Sequence, residues 1–153
     1  MLKQIVGVVA LLVLAQFPAN AGESYTERDN RQPIGVTSKE RNQFLYTMRE
    51  FMHDLFNVHH ALARSDFQAL ATAARPLGQL LNRTPASLRE RLPTEFTEIS
   101  IALRESIEAL IREAETRKDP SVILTQLVES LSYCSGCHDA YRLEVRNSSF
   151  WGN

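Results

Sequence analysis

Four stretches of the chain repeat apolar residues every three or four positions, the period of a helix with one buried face. In the first, Phe44, Leu45, Met48, Phe51, Met52, Leu55, Phe56 and Leu62 share one side of a helix expected from about Ser38 to Ala63, and Thr37 stands three residues before Glu40, a capping-box spacing. In the second, Phe67, Leu70, Ala74, Leu77, Leu80 and Leu81 follow Ser65 or Asp66 as N-cap, with a kink expected at Pro76. The third starts near Thr94 and carries Phe96, Ile99, Leu103, Ile107, Leu110 and Ile111, then fades into a charged, solvated end at 113–118. The fourth opens at Asp119-Pro120, an N-cap followed by a proline in the first helical position. Its expected inner face is Val122 or Ile123, Leu124, Leu127, Leu131, Cys134 and His138, and it is predicted to run to about Glu144.

The longest connection is 82–93, with a short helical turn expected around Ser87 to Leu92. No stretch alternates with period two for long enough to predict a strand. No single helix can bury its own stripe, so the expected fold is all-α, an antiparallel up-down-up-down four-helix bundle.

Composition adds the setting. The 153 residues hold 17 Lys and Arg against 18 Asp and Glu, 44% are hydrophobic and 23% charged, which fits a soluble globular chain. A net charge of −1 removes the basic bias that generic nucleic-acid binding needs, so no nucleic-acid partner is expected.

Residues 1–21 differ in kind: Lys3 precedes an apolar run at 5–14, and Ala19-Asn20-Ala21 supplies an A-x-A site. This reads as a secretory signal peptide cleaved before Gly22, its apolar run being too short to span a bilayer. The expected product is a periplasmic protein with no stable membrane insertion, in a compartment where thiols are not kept reduced. Residues 22–36 read as a flexible, polar leader, 37–146 as the helical domain and 147–153 as a tail whose Phe150 and Trp151 dock on the bundle.

The chemistry is concentrated in Cys134-Ser135-Gly136-Cys137-His138, which contains both cysteines of the chain. C-x-x-C-H is the attachment signature of c-type haem: two thiols add to the vinyl groups and the adjacent imidazole ligates iron. On a helix, residues three and four apart share a side, so Cys134, Cys137 and His138 project together, and Gly136 leaves room for a macrocycle. The expected cofactor is one covalent haem c with its iron, held by Cys134 and Cys137 and ligated by His138. Three readings compete. A zinc site needs two further ligands, and His53, His59 and His60 lie on the first helix. A thioredoxin-like pair belongs in a βαβ pattern, and a disulfide here would close a very small loop. No phosphate loop, hydrolase triad or paired-carboxylate motif is present, and no enzymatic activity is expected.

The string Cys134-x-x-Cys137-His138-x-x-Tyr141-Arg142, on the last helix of an exported four-helix chain, resembles the cytochrome c′ family, the class II c-type cytochromes, including their low-spin Met-ligated members. The likeness covers about 38–144, and its specific part is the C-terminal string. It implies that Tyr141 and Arg142 border the haem, Arg142 countering a propionate or the charge on iron. An ordinary arginine complementing a helix C-terminus is the equal alternative. It also implies a homodimer through the first two helices.

In an up-down-up-down bundle the start of the first helix lies beside the end of the fourth. Leu45, Met48 and Met52 share one face near that start, while His59 and His60 sit roughly 17 Å further along the axis than Met48. In the family, the residue over the distal haem face comes from this early part of the first helix. A methionine there closes the sixth position and an apolar residue leaves it open. Met48 is the first candidate ligand, Met52 the second, and Leu45 the residue over an open site, all three being equally at home in a bundle core. Six-coordinate iron implies a periplasmic electron carrier that meets redox partner proteins. Five-coordinate iron implies a protein binding nitric oxide or carbon monoxide. A bundle without haem that uses its cysteine pair for redox buffering is the third possibility.

Overall fold

The computed structural model describes residues 29–146. Residues 1–21, read above as an export signal, residues 22–28 of the expected leader and 147–153 with Phe150 and Trp151 lie outside the described residues. The described part is mainly helical, with one short parallel sheet: β1 Gln32–Val36, α1 Ser38–Ala63, α2 Phe67–Ala74, a 3-10 stretch Arg75–Gln79, α3 Leu80–Arg83, α4 Ala86–Arg89, α5 Thr94–Glu115, α6 Pro120–Ala140 and β2 Tyr141–Val145. No helix among the described residues is long and apolar enough to cross a membrane.

Local chemistry explains the helix starts. The Thr37 hydroxyl accepts from the Glu40 amide at 3.2 Å, and the Glu40 carboxylate accepts from the Thr37 amide at 2.8 Å, completing the capping box. Asp66 rather than Ser65 caps α2, accepting from the Ala69 amide at 3.0 Å. Ser65 takes a left-handed φ of 55° in the turn between α1 and α2. Pro76 does more than kink: the α-helix ends at Ala74 and the next five residues tighten into 3-10 geometry. Asp119 caps α6 by accepting from the Ser121 and Val122 amides, with Pro120 in the first turn.

The core is one cluster that draws on every segment. Val58, Leu70, Leu88, Ile107, Leu110, Ile123 and Leu127 are fully buried, and α1 packs on α2, α2 on α5 and α5 on α6. Between α5 and α6 the hydroxyls of Ser106 and Ser130 meet at 2.8 Å, which satisfies two buried polar groups in an otherwise apolar seam. Glu113, placed by the sequence pattern in a solvated end, is buried; its carboxylate accepts from the Arg117 Nε at 2.7 Å and from the Asp119 amide at 3.4 Å, closing the α5–α6 turn.

Three expectations are corrected. The leader does not stay loose up to residue 36, because 32–36 is a strand with Ile34 and Val36 buried. The fourth helix stops at Ala140, and 141–145 is a second strand paired in parallel with the first, Gln32 opposite Tyr141 and Val36 opposite Val145. Leu124 does not belong to the inner face of α6: it is 52% exposed and Val128 60%, whereas Ile123 and Leu127 are buried. Rotating by one residue along a helix turns a side chain by about 100°, so a stripe read one position off faces outward.

Candidate functional site

The last two turns of α6 carry the C-x-x-C-H string. Cys134 and Cys137 follow Ile123, Leu127 and Ser130 along the inward stripe and are half-buried against the core. Their thiols are free. Burial pushes both up, Cys137 to about 11 with the neighbouring Cys134 adding to the effect, so both are neutral thiols at ordinary pH. This is the opposite of the depressed thiol on which dithiol exchange depends. A Cβ built on Gly136 meets no atom within 4 Å, which leaves open space beside the string. His138, about 40° round the helix from Cys134, is exposed.

Beyond His138 the chain departs from the helical expectation. The sequence pattern puts Tyr141 three residues on, upon the same helix side. It is instead the first residue of β2, buried, with its ring edge-on to Phe96 at 5.3 Å and 72°. Phe96 in turn lies 6.3 Å from Phe44. This aromatic row joins the early part of α1, the start of α5 and the end of α6. Burial raises the Tyr141 hydroxyl above its usual range, with Glu95, Cys137 and Glu98 contributing. Arg142 is half-buried; its Nη1 meets the Glu144 carboxylate at 2.6 Å, while its Nε is buried and finds no hydrogen-bond partner among the described residues.

On α1, Leu45 and Met48 are half-buried, Met48 packing against the core, and Met52 is 67% exposed. Both strands touch α1, so this helix lies beside the segment that leaves the C-x-x-C-H string. His53, His59 and His60 are exposed on the later turns of α1; His59 Nδ1 lies 2.7 Å from the Leu55 carbonyl, and His60 stacks on Phe56 at 6.0 Å. Among the described residues no three His, Cys, Asp or Glu side chains group so as to hold a bare metal ion.

Two features have no counterpart in the sequence pattern. Arg31 donates from Nη1 to the His138 carbonyl at 3.2 Å, across 107 positions of sequence. Glu40, beyond its capping role, accepts from Ser87 at 2.9 Å and from Arg91 at 2.7 Å, and Arg91 also donates to the Gly35 carbonyl at 2.7 Å, tying the strand–helix junction to the connection before α5. The alternation of Ile34 and Val36, and of Tyr141, Leu143 and Val145, is the available signal for the strands, but five residues carry too little of it.

Comparison of the chain with models of known protein families, with curated proteins and with solved structures finds no match in any of the three.

Proposed function

We propose that the protein is an exported monohaem c-type cytochrome of the cytochrome c′ kind, an electron carrier whose haem is held covalently by Cys134 and Cys137 and ligated by His138. The observation that carries this reading is the string itself: two free, half-buried cysteines and an exposed imidazole on adjoining stripes of one helix. Attachment at such a pair is an addition, in which each S–H adds across the carbon–carbon double bond of a vinyl group and becomes a thioether. The residues present therefore fit the group.

We read the helices as an antiparallel up-down-up-down bundle, with 67–83 as its second arm. The row Phe44, Phe96, Tyr141 supports this, since it gathers the beginnings of α1 and α5 and the end of α6 at one end. When bound, haem c supplies a one-electron couple between ferrous and ferric iron. The chain's part is to hold the porphyrin through Cys134 and Cys137, to present the His138 imidazole and to exclude water with the apolar side chains of α1. Met48, half-buried, is the stronger candidate for the sixth position; Met52 is exposed, and Leu45 would leave that position open.

The test is expression of the full chain with haem-maturation machinery, followed by intact mass and visible spectrum. The expected product carries one haem that survives denaturing electrophoresis, and Cys134→Ala with Cys137→Ala abolishes it. A wild-type mass equal to the bare polypeptide would refute the reading. High-spin iron that reacts rapidly with carbon monoxide would replace electron transfer with gas binding.

A further inference from the structure

Nothing within α6 itself explains why it stops at Ala140. Tyr141, Arg142, Leu143 and Glu144 include no glycine or proline, the residues that most strongly disfavour a helix. The cause lies elsewhere in the chain. Residues 141–145 are claimed by β1, which pairs with them over its full length, and the ladder is prolonged by the Arg146 amide donating to the Val36 carbonyl at 2.9 Å. A helix also ends with carbonyls that lack intrahelical donors. That of Cys137 accepts from the Tyr141 amide, while that of His138 accepts from the Arg31 guanidinium, a cation at the negative end of the helix dipole.

The strand places these five residues differently from the helix that the sequence pattern predicts. As helix, Tyr141 and Arg142 stand three and four residues beyond His138 and share its side. As strand, they point to opposite faces of the sheet; Tyr141 enters the core against Phe96 and Arg142 pairs with Glu144. We propose that residues 31–36 form a positioning strap for the proximal side of the C-x-x-C-H string: Arg31 caps α6 at His138, β1 holds 141–145 as strand, and Tyr141 and Arg142 are thereby kept off the His138 side. The inference rests on the haem reading. It adds that the electronic environment of the proximal imidazole is set by a segment more than a hundred residues away in sequence. The surroundings of the ligand are a lever by which a protein tunes haem iron; the strap bonds the His138 backbone carbonyl and not its ring, so it acts by fixing where that residue sits and which side chains lie beside it.

The test uses the full-length holoprotein as wild type, Arg31→Ala and Arg31→Lys, with intact mass, amide hydrogen exchange, the low-temperature EPR signal of ferric iron and the midpoint potential measured on each. Arg31 is exposed, and replacing it removes no side chain from the core. Loss of its hydrogen bond should speed exchange of the Tyr141 to Val145 amides roughly three- to tenfold relative to those of α5. It should also shift the EPR signal and the potential in Arg31→Ala, with Arg31→Lys restoring most of both. Faster exchange with an unchanged EPR signal and potential would reduce Arg31 to a structural cap and overturn the positioning role. Unchanged exchange would overturn the strap. A wild-type mass without haem would refute the haem reading and the positioning role with it, while exchange would still report whether Arg31 ends α6.

Discussion

Replacing Glu40 by Gln removes a charge from the best-connected buried carboxylate of the chain without changing its shape. Glu40 is 7% exposed, and its carboxyl is held at about 2 instead of 4.5. The largest cause is the hydrogen bond from the Thr37 amide; burial opposes it, and bonds from Ser87, Arg91 and the Thr37 hydroxyl add to it. A depression of that size corresponds to about 3 kcal/mol of stability. Because the folded-state value is the lower one, this stability is fully present above pH 4.5 and is lost as pH falls toward 2. Glutamine can still accept from the Thr37 amide as a capping-box residue, so part of the interaction survives. The variant should lose about 2–3 kcal/mol near pH 6, or roughly 5–10 °C in Tm, and converge on the wild type near pH 2. Urea unfolding of both proteins at intervals from pH 2 to 7, followed by circular dichroism, measures the difference directly. A gap between the two that stays constant over this range, or no gap at pH 6, would show that the charge on Glu40 does not hold the strand–helix junction to Arg91 and Ser87.

On the haem proposal with Met48 as sixth ligand, Met48→Ala should convert low-spin to high-spin iron, lower the potential and admit carbon monoxide, as absorption and carbon monoxide titration will show. Met52→Ala, at a position 67% exposed, should leave the spectrum intact and change stability by no more than about 0.5 kcal/mol; the opposite pattern would move the ligand to Met52. Ser65→Gly should raise stability by roughly 1 kcal/mol in thermal melts, because Ser65 has a φ of 55° and glycine takes the left-handed region without Cβ conflict. A lowered Tm in that variant would mean that the serine side chain contributes more than its backbone costs.

Helix starts are legible in the sequence because the groups that make them are near neighbours. Thr37 with Glu40, Asp66 with Ala69, and Asp119 with Ser121 and Val122 each satisfy backbone donors from within four residues, and the structure shows each of them. The buried stripes are legible for the same reason: Phe44 and Phe51, Phe96 with Leu103 and Ile107, and Ile123 with Leu127 recur at the helical period and are buried. The candidate site is legible as a string of residue types, Cys134, Cys137 and His138, because its chemistry depends on spacing along one helix.

Only the tertiary structure decided where that helix ends and what surrounds it. Arg142, Leu143 and Glu144 suit helix by local preference while Tyr141 and Val145 suit strand, and the segment became strand because β1 offers a ladder of backbone hydrogen bonds from the other end of the chain. Tyr141 left the helix side of His138 for a ring contact with Phe96, and the His138 carbonyl took its donor from Arg31. The exposure of Met52 and Leu124, the burial of Glu113 and the bonds of Glu40 to Ser87 and Arg91 likewise depend on which segments meet. Periodicity and caps are short-range and appear in any window of the sequence. Partners more than forty residues apart are selected by the packing of the whole core, where a polar group or a strand edge must find its complement or lose hydration without return.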